Sequence, residues 1–137
     1  MLVALLLIIT SSALVIAVNY LSIPNSGNLG TEEIKAYRDS QCTQSVGSIN
    51  WGILELGNTK NITVFLRNEG NLDVTLTLNI TDWNPSVAKD YITLTWDYNS
   101  QILHPNDVLS VIFTLGAPSD SHGITSFSFD TVITADS

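Results

Sequence analysis

The chain has 137 residues, of which 5 are basic and 13 acidic, for a formal net charge of −8. Charged residues make up 13% of it, against about 25% in an ordinary soluble domain, so 15 Ser, 14 Thr and 12 Asn must supply the polar exterior. Three Trp, four Tyr and four Phe argue against a disordered chain, and five basic side chains give no footprint for nucleic acid.

Residues 1–31 contain no charged side chain, and 18 of the first 23 residues are apolar. As a helix rising ~1.5 Å per residue, that stretch would measure roughly 35 Å, close to the ~30 Å hydrocarbon core of a bilayer. The pattern predicts a long hydrophobic α-helix over 1–23, with Leu2, Leu5, Leu6, Ile9, Leu14, Ile16, Leu21 and Ile23 as its burying residues. It has no wet face, so it needs shelter from lipid or from other apolar segments. Pro24 ends it, and Asn25, Ser26, Gly27, Asn28 and Gly30 mark a hinge over 24–31.

Three roles compete for this segment. A secretory signal peptide needs a basic start and a small-x-small cleavage site; no Lys or Arg precedes the apolar run, and Ala17-Val18-Asn19 is a poor match. A single-pass anchor fits the length but lacks flanking basic residues on its short side. The third is a processed end whose basic leader has been removed, leaving a helix for a polymer core. Thr10, Ser11 and Ser12 suit either apolar role, because small hydroxyl residues allow helices to approach closely.

Beyond the hinge the pattern becomes alternating, the signature of half-buried strands. Short strands are expected over 34–38 and 46–51, followed by 61–67 and 74–81, which read as a hairpin through the turn Asn68-Glu69-Gly70-Asn71. Val74, Leu76, Leu78 and Ile80 fall on one face and Thr75, Thr77, Asn79 and Thr81 on the other. Residues 84–90 suit a single helical turn after Pro85. Strands are then expected over 91–97, 108–115 and 124–134, with Phe127, Phe129 and Ile133 sharing a side in the last. Trp51, Trp83 and Trp96 are candidate core anchors. The expected fold class is α+β: the apolar helix, then an all-β immunoglobulin-like sandwich of about seven strands over 32–137.

Chemistry is sparse. His104 and His122 sit in turn-like segments, without the spacing of a metal site. Cys42 is the only cysteine, which excludes a disulfide within one chain and reads as a buried thiol on a strand. Asp82, Asp90, Asp97 and Asp107 lie near turns, where Asp commonly stabilises loops. The expectation is a non-enzymatic chain with no catalytic, cofactor or metal residues. Two sequons, Asn61-Ile62-Thr63 and Asn79-Ile80-Thr81, make Asn61 and Asn79 candidate N-glycosylation sites.

This layout of an uncharged apolar helix, a short hinge and an Ig-like β-domain resembles the mature archaeal type IV pilins and, more distantly, archaellins. Residues 2–9 hold no carboxylate, unlike many bacterial type IV pilins, which suits the archaeal side. The resemblance implies a structural subunit of an extracellular archaeal filament, an adhesion pilus. It would be a helical polymer of copies of itself, held in the membrane before assembly, frequently glycosylated and without cofactor. Separately, Phe65-Leu66-Arg67-Asn68-Glu69-Gly70-Asn71 and Leu103-His104-Pro105-Asn106-Asp107 resemble turns in Ig-like repeats of surface proteins. They imply the alternative of a membrane-anchored or secreted surface domain, or a strand-donating biofilm fibre subunit.

Overall fold

The computed structural model describes residues 21–137. Six strands form two antiparallel sheets: β1 Ile34–Tyr37, β2 Thr59–Asn68, β3 Thr75–Asn84, β4 Thr93–Trp96, β5 Val108–Gly116 and β6 Ser128–Asp136. The larger sheet has the order β1-β2-β5-β4, and the smaller pairs β3 with β6. Alternation decides which side chains enter the core. Val64 and Leu66 of β2 and Val111, Phe113 and Leu115 of β5 are at most 3% exposed, and they cluster with Val74, Leu76, Leu94 and Leu103. The β2–β5 pairing sets Val64 opposite Val111 and Ile62 opposite Phe113, so apolar residues meet across the central ladder.

The described residues are all-β, not α+β. Their one helical element is a five-residue 3-10 turn, Ser86–Asp90, and no helix among them is long and apolar enough to cross a membrane. Of the helix expected over 1–23, residues 1–20, including Leu2, Leu5, Leu6, Ile9, Leu14 and Ile16, lie outside the described residues. Leu21 and Ile23 are described, and they stand in irregular chain, 83% and 69% exposed. Pro24 accounts for Ile23 locally, because its ring disfavours helical backbone in the residue before it.

The expected hairpin between 61–67 and 74–81 is also corrected, since β2 pairs with β1 and β5 while β3 pairs with β6. The linking residues form an arch between sheets. Asn68, fully buried, donates from Nδ2 to the carbonyls of Leu72 (2.7 Å) and Leu103 (2.9 Å), and its Oδ1 accepts from Gly70 N (3.0 Å). Glu69 N donates to Glu33 O (2.9 Å) and Asn71 N to Thr31 O (3.1 Å). Gly70 is required because any side chain there would collide with the Thr31 carbonyl.

The strand expected over 46–51 does not form. Arg38 Nη2 occupies the Ser48 carbonyl (2.7 Å) and Lys60 Nζ the Trp51 carbonyl (2.9 Å), while Asn50 Oδ1 accepts from Gly52 N (2.9 Å) in a tight turn. Backbone acceptors satisfied by side chains do not build a ladder. Trp51, Trp83 and Trp96 are half-buried at the margin of the core, not at its centre. Cys42 is half-buried in an irregular loop at φ +58, not on a strand.

Candidate functional site

Among the described residues, the smaller sheet leaves one side of the sandwich open. β6 runs nine residues and, among the described residues, its only ladder partner is β3. Its inward-facing Phe129, Thr131, Ile133 and Ala135 remain half-exposed, whereas their counterparts on β2 and β5 are sealed. A groove of about 660 Å3 follows this edge, walled by residues 46–52 on one side and 127–133 on the other, with Val64 and Phe113 among its lining.

Other edges are protected in ways that β6 is not. β1 and β4 are four residues each, and β1 is shielded by Val46 N donating to Ala36 O (3.0 Å). The free side of β3 is bridged at Val74 to Leu103, donates from Leu76 N to the Tyr98 hydroxyl oxygen (2.9 Å), and is broken at Asp82, φ +56. β6 contains no Pro, Lys or Arg, so it lacks the usual deterrents to edge pairing. Chemically, such a groove suits an extended, uncharged chain: among the described residues one edge of β6 has no ladder partner, and the half-buried side chains beside it offer an apolar face.

No family model matches this chain, and no curated protein and no solved structure matches it significantly. Among the described residues no group of three His, Cys, Asp or Glu converges as a metal site. His122 stacks on Tyr91 with ring centroids 3.8 Å apart. Asp39 caps the Cys42 loop, accepting from Thr43 Oγ1 (2.6 Å) and from the Gln44 amide (2.9 Å); the Thr43 hydroxyl chiefly holds its carboxyl below the ordinary range. Asp97 accepts from Ile112 N (2.7 Å) and extends the β4–β5 pairing past Trp96, whereas Asp107 accepts from His104 N (2.9 Å) and closes a turn. The sequon residues Asn61 and Asn79, with Thr63 and Thr81, are exposed on strand faces away from the core. A glycan there would leave the packing intact.

His104 Nδ1 lies 2.7 Å from Asp73 Oδ1, linking the loop before β5 to the arch before β3. That hydrogen bond raises the imidazole pKa above its ordinary 6.5. A pKa raised on folding adds stability that is complete below about pH 6.5 and is lost as pH climbs past the raised value. Both side chains are more than half exposed, so solvent keeps the effect on stability small. An NMR titration is expected to place the His104 midpoint above 6.5, and Asp73→Asn to return it toward that value. A midpoint indifferent to Asp73→Asn contradicts the assignment.

The groove was only partly legible beforehand. Alternation picked out Phe127, Phe129 and Ile133 as one face, but nothing local showed that β6 would have β3 as its one ladder partner among the described residues. The absence of Pro and Lys from 128–136 was the available signal.

Proposed function

We infer that this chain is a structural subunit of an extracellular, cell-surface filament of the archaeal type IV pilus kind. It assembles with copies of itself through its apolar leading segment and serves in surface adhesion. The observation that carries this reading is the segment itself: 18 apolar residues in the first 23, no charge before Glu32, joined to a charge-poor β-sandwich. Burying a large apolar side chain yields ~1.5–3 kcal/mol, so a dozen of them exceed the entropic cost of association. Before assembly the membrane shelters the segment; afterwards neighbouring subunits do.

The sandwich then forms the filament exterior. Its Ser, Thr and Asn surface stays wetted with few ions, and glycans on Asn61 and Asn79 would add to that coat. This reading calls for no catalytic role, no cofactor and no nucleic acid.

Gold-labelled antibody against the β-sandwich, applied to intact cells, is expected to decorate fibres extending from the surface. Label confined to the cell envelope, with no fibres, would favour the single-pass anchored domain. Mapping that finds Asn61 and Asn79 unmodified in native protein removes the glycan part alone.

A further inference from the structure

We propose that the two sequons are used on different sides of folding: Asn61 takes an oligosaccharide only before the β2–β5 ladder closes, whereas Asn79 stays open to transfer in the folded β-sandwich. This rests on the glycan part of the reading above and specifies when each site is used.

The Asn-x-Thr motif ordinarily lies in a surface loop, and here both copies lie in strands. In the transfer, the Asn Nδ2 attacks the anomeric carbon of an oligosaccharide carried on a lipid phosphate. A C–N bond forms, the bond from that carbon to the phosphate oxygen breaks, the lipid phosphate leaves with the electron pair, and one Nδ2 proton passes to a base of the transferase. A carboxamide nitrogen is a poor nucleophile because its lone pair is delocalised into the carbonyl, so the acceptor must be gripped in a site that fixes its geometry. Such a site has to reach the Asn, the Thr two positions on and the backbone between them. In a strand the Asn and Thr share one face, but the middle residue points to the other, and the backbone is engaged by the neighbouring strand.

The two sequons differ in what must open to release them. Asn61, Ile62 and Thr63 face Thr114, Phe113 and Ile112 in a β2–β5 register that runs without a shift from Thr59–Gly116 to Arg67–Val108. Ile62 packs against the core, Phe113 opposite it is buried, and so is Leu115 opposite Lys60. β2 is itself an interior strand, between β1 and β5. Freeing 61–63 therefore opens the core, a state populated in about one molecule in a thousand or fewer. Ile80 of the other sequon also packs against the core, but its strand belongs to a two-stranded sheet, and Thr81 is the last residue before the β3–β6 register shifts. Asp82 follows at φ +56, and its carboxylate accepts from the Thr81 hydroxyl (3.2 Å). A ladder interrupted at the sequon frays there while β2 and β5 stay closed. A glycan on Asn61 is thus a record that the transferase met the chain before it folded; one on Asn79 is not.

Transfer to the purified full-length chain tests this. Unmodified protein, made in a host without the transferase and held folded in detergent, is incubated with a detergent-solubilised transferase that accepts Asn-x-Thr and with its lipid-phosphate-linked oligosaccharide. Mass mapping gives the ratio of Asn61 to Asn79 occupancy at early times. A ratio below about one in ten is expected for the parent. Leu115→Ala, on β5 opposite Lys60, raises the open population roughly thirtyfold or more and is expected to bring the ratio toward one. If that variant does not fold at all, it serves as the unfolded reference, with the same expected ratio. A ratio near one in the folded parent, or a low ratio that Leu115→Ala leaves unmoved, overturns the proposal. Modification of neither site in parent or variant removes the glycan reading and this inference with it, and leaves filament assembly standing. Hydrogen exchange on the unsubstituted protein gives a second readout: the protected amides of 60–64 are expected to exchange with the slowest of the β-sandwich and those of 79–82 faster, and equal rates contradict the difference between the sites.

Discussion

Replacing Leu6 or Leu14 by Asp is expected to abolish polymer at working concentrations while leaving the β-sandwich folded. Each substitution removes ~1.5–3 kcal/mol of apolar burial at the joint. It also places a carboxylate where no basic group exists to pair with it, since residues 1–31 carry no charge. A combined penalty of about 4 kcal/mol per contact raises the concentration needed for assembly roughly a thousandfold. Pelleting after detergent removal reads the first effect, and thermal unfolding of the β-domain reads the second. Neither leucine lies among the residues that form the described sheets, so the unfolding midpoint should match that of the parent. Full-length fibres at normal yield from either variant would show that the leading segment is not the joint.

Asn68→Ala is expected to be among the most destabilising single changes in the β-domain. The side chain is fully buried and ties the arch over 68–72 to the segment at Leu103: its amide serves Leu72 and Leu103, and its carbonyl oxygen serves Gly70. Truncation removes three hydrogen bonds and leaves the Leu72 carbonyl without this donor, while the Leu103 carbonyl still accepts from Val74 N and Gly70 N still donates to Glu33 O; the cost is ~0.5–1.5 kcal/mol for each lost bond and ~1–3 kcal/mol for the group left unpaired. A loss of about 3–5 kcal/mol is comparable with Leu115→Ala, a cavity mutation at a fully buried position. For a domain of this size it lowers the unfolding midpoint by roughly 10–20 °C. Asn68→Asp is expected to be equally severe, because it turns a donor toward two carbonyls into a buried charge. A loss under about 1 kcal/mol for Asn68→Ala, measured by denaturant titration, would mean that the arch relaxes to admit water.

The same residue explains where sequence reasoning succeeded and where it stopped. The strands over 61–67, 74–81 and 108–115 were readable because alternation is a local signal and their apolar residues face one core. Which strand pairs with which is not local. Asn68-Glu69-Gly70-Asn71 has the composition of a tight turn, yet Asn68 contacts Leu103, thirty-five positions away, and Gly70 and Asn71 bind Glu33 and Thr31. Those long-range bonds convert an apparent hairpin into a crossing between sheets. Likewise, Arg38 and Lys60 divert the carbonyls of Ser48 and Trp51 from a ladder that the pattern of 46–51 alone would allow. Among the described residues, β6 is left with β3 alone as a ladder partner, and residues 46–52 stand beside it as irregular wall.

Electron microscopy of purified protein after detergent removal bears most directly on self-assembly through the apolar leading segment. The expected image is of long, regular fibres with the β-domains outermost, dissolved again by detergent. A field of single dispersed particles, stable in aqueous buffer without lipid, would contradict it.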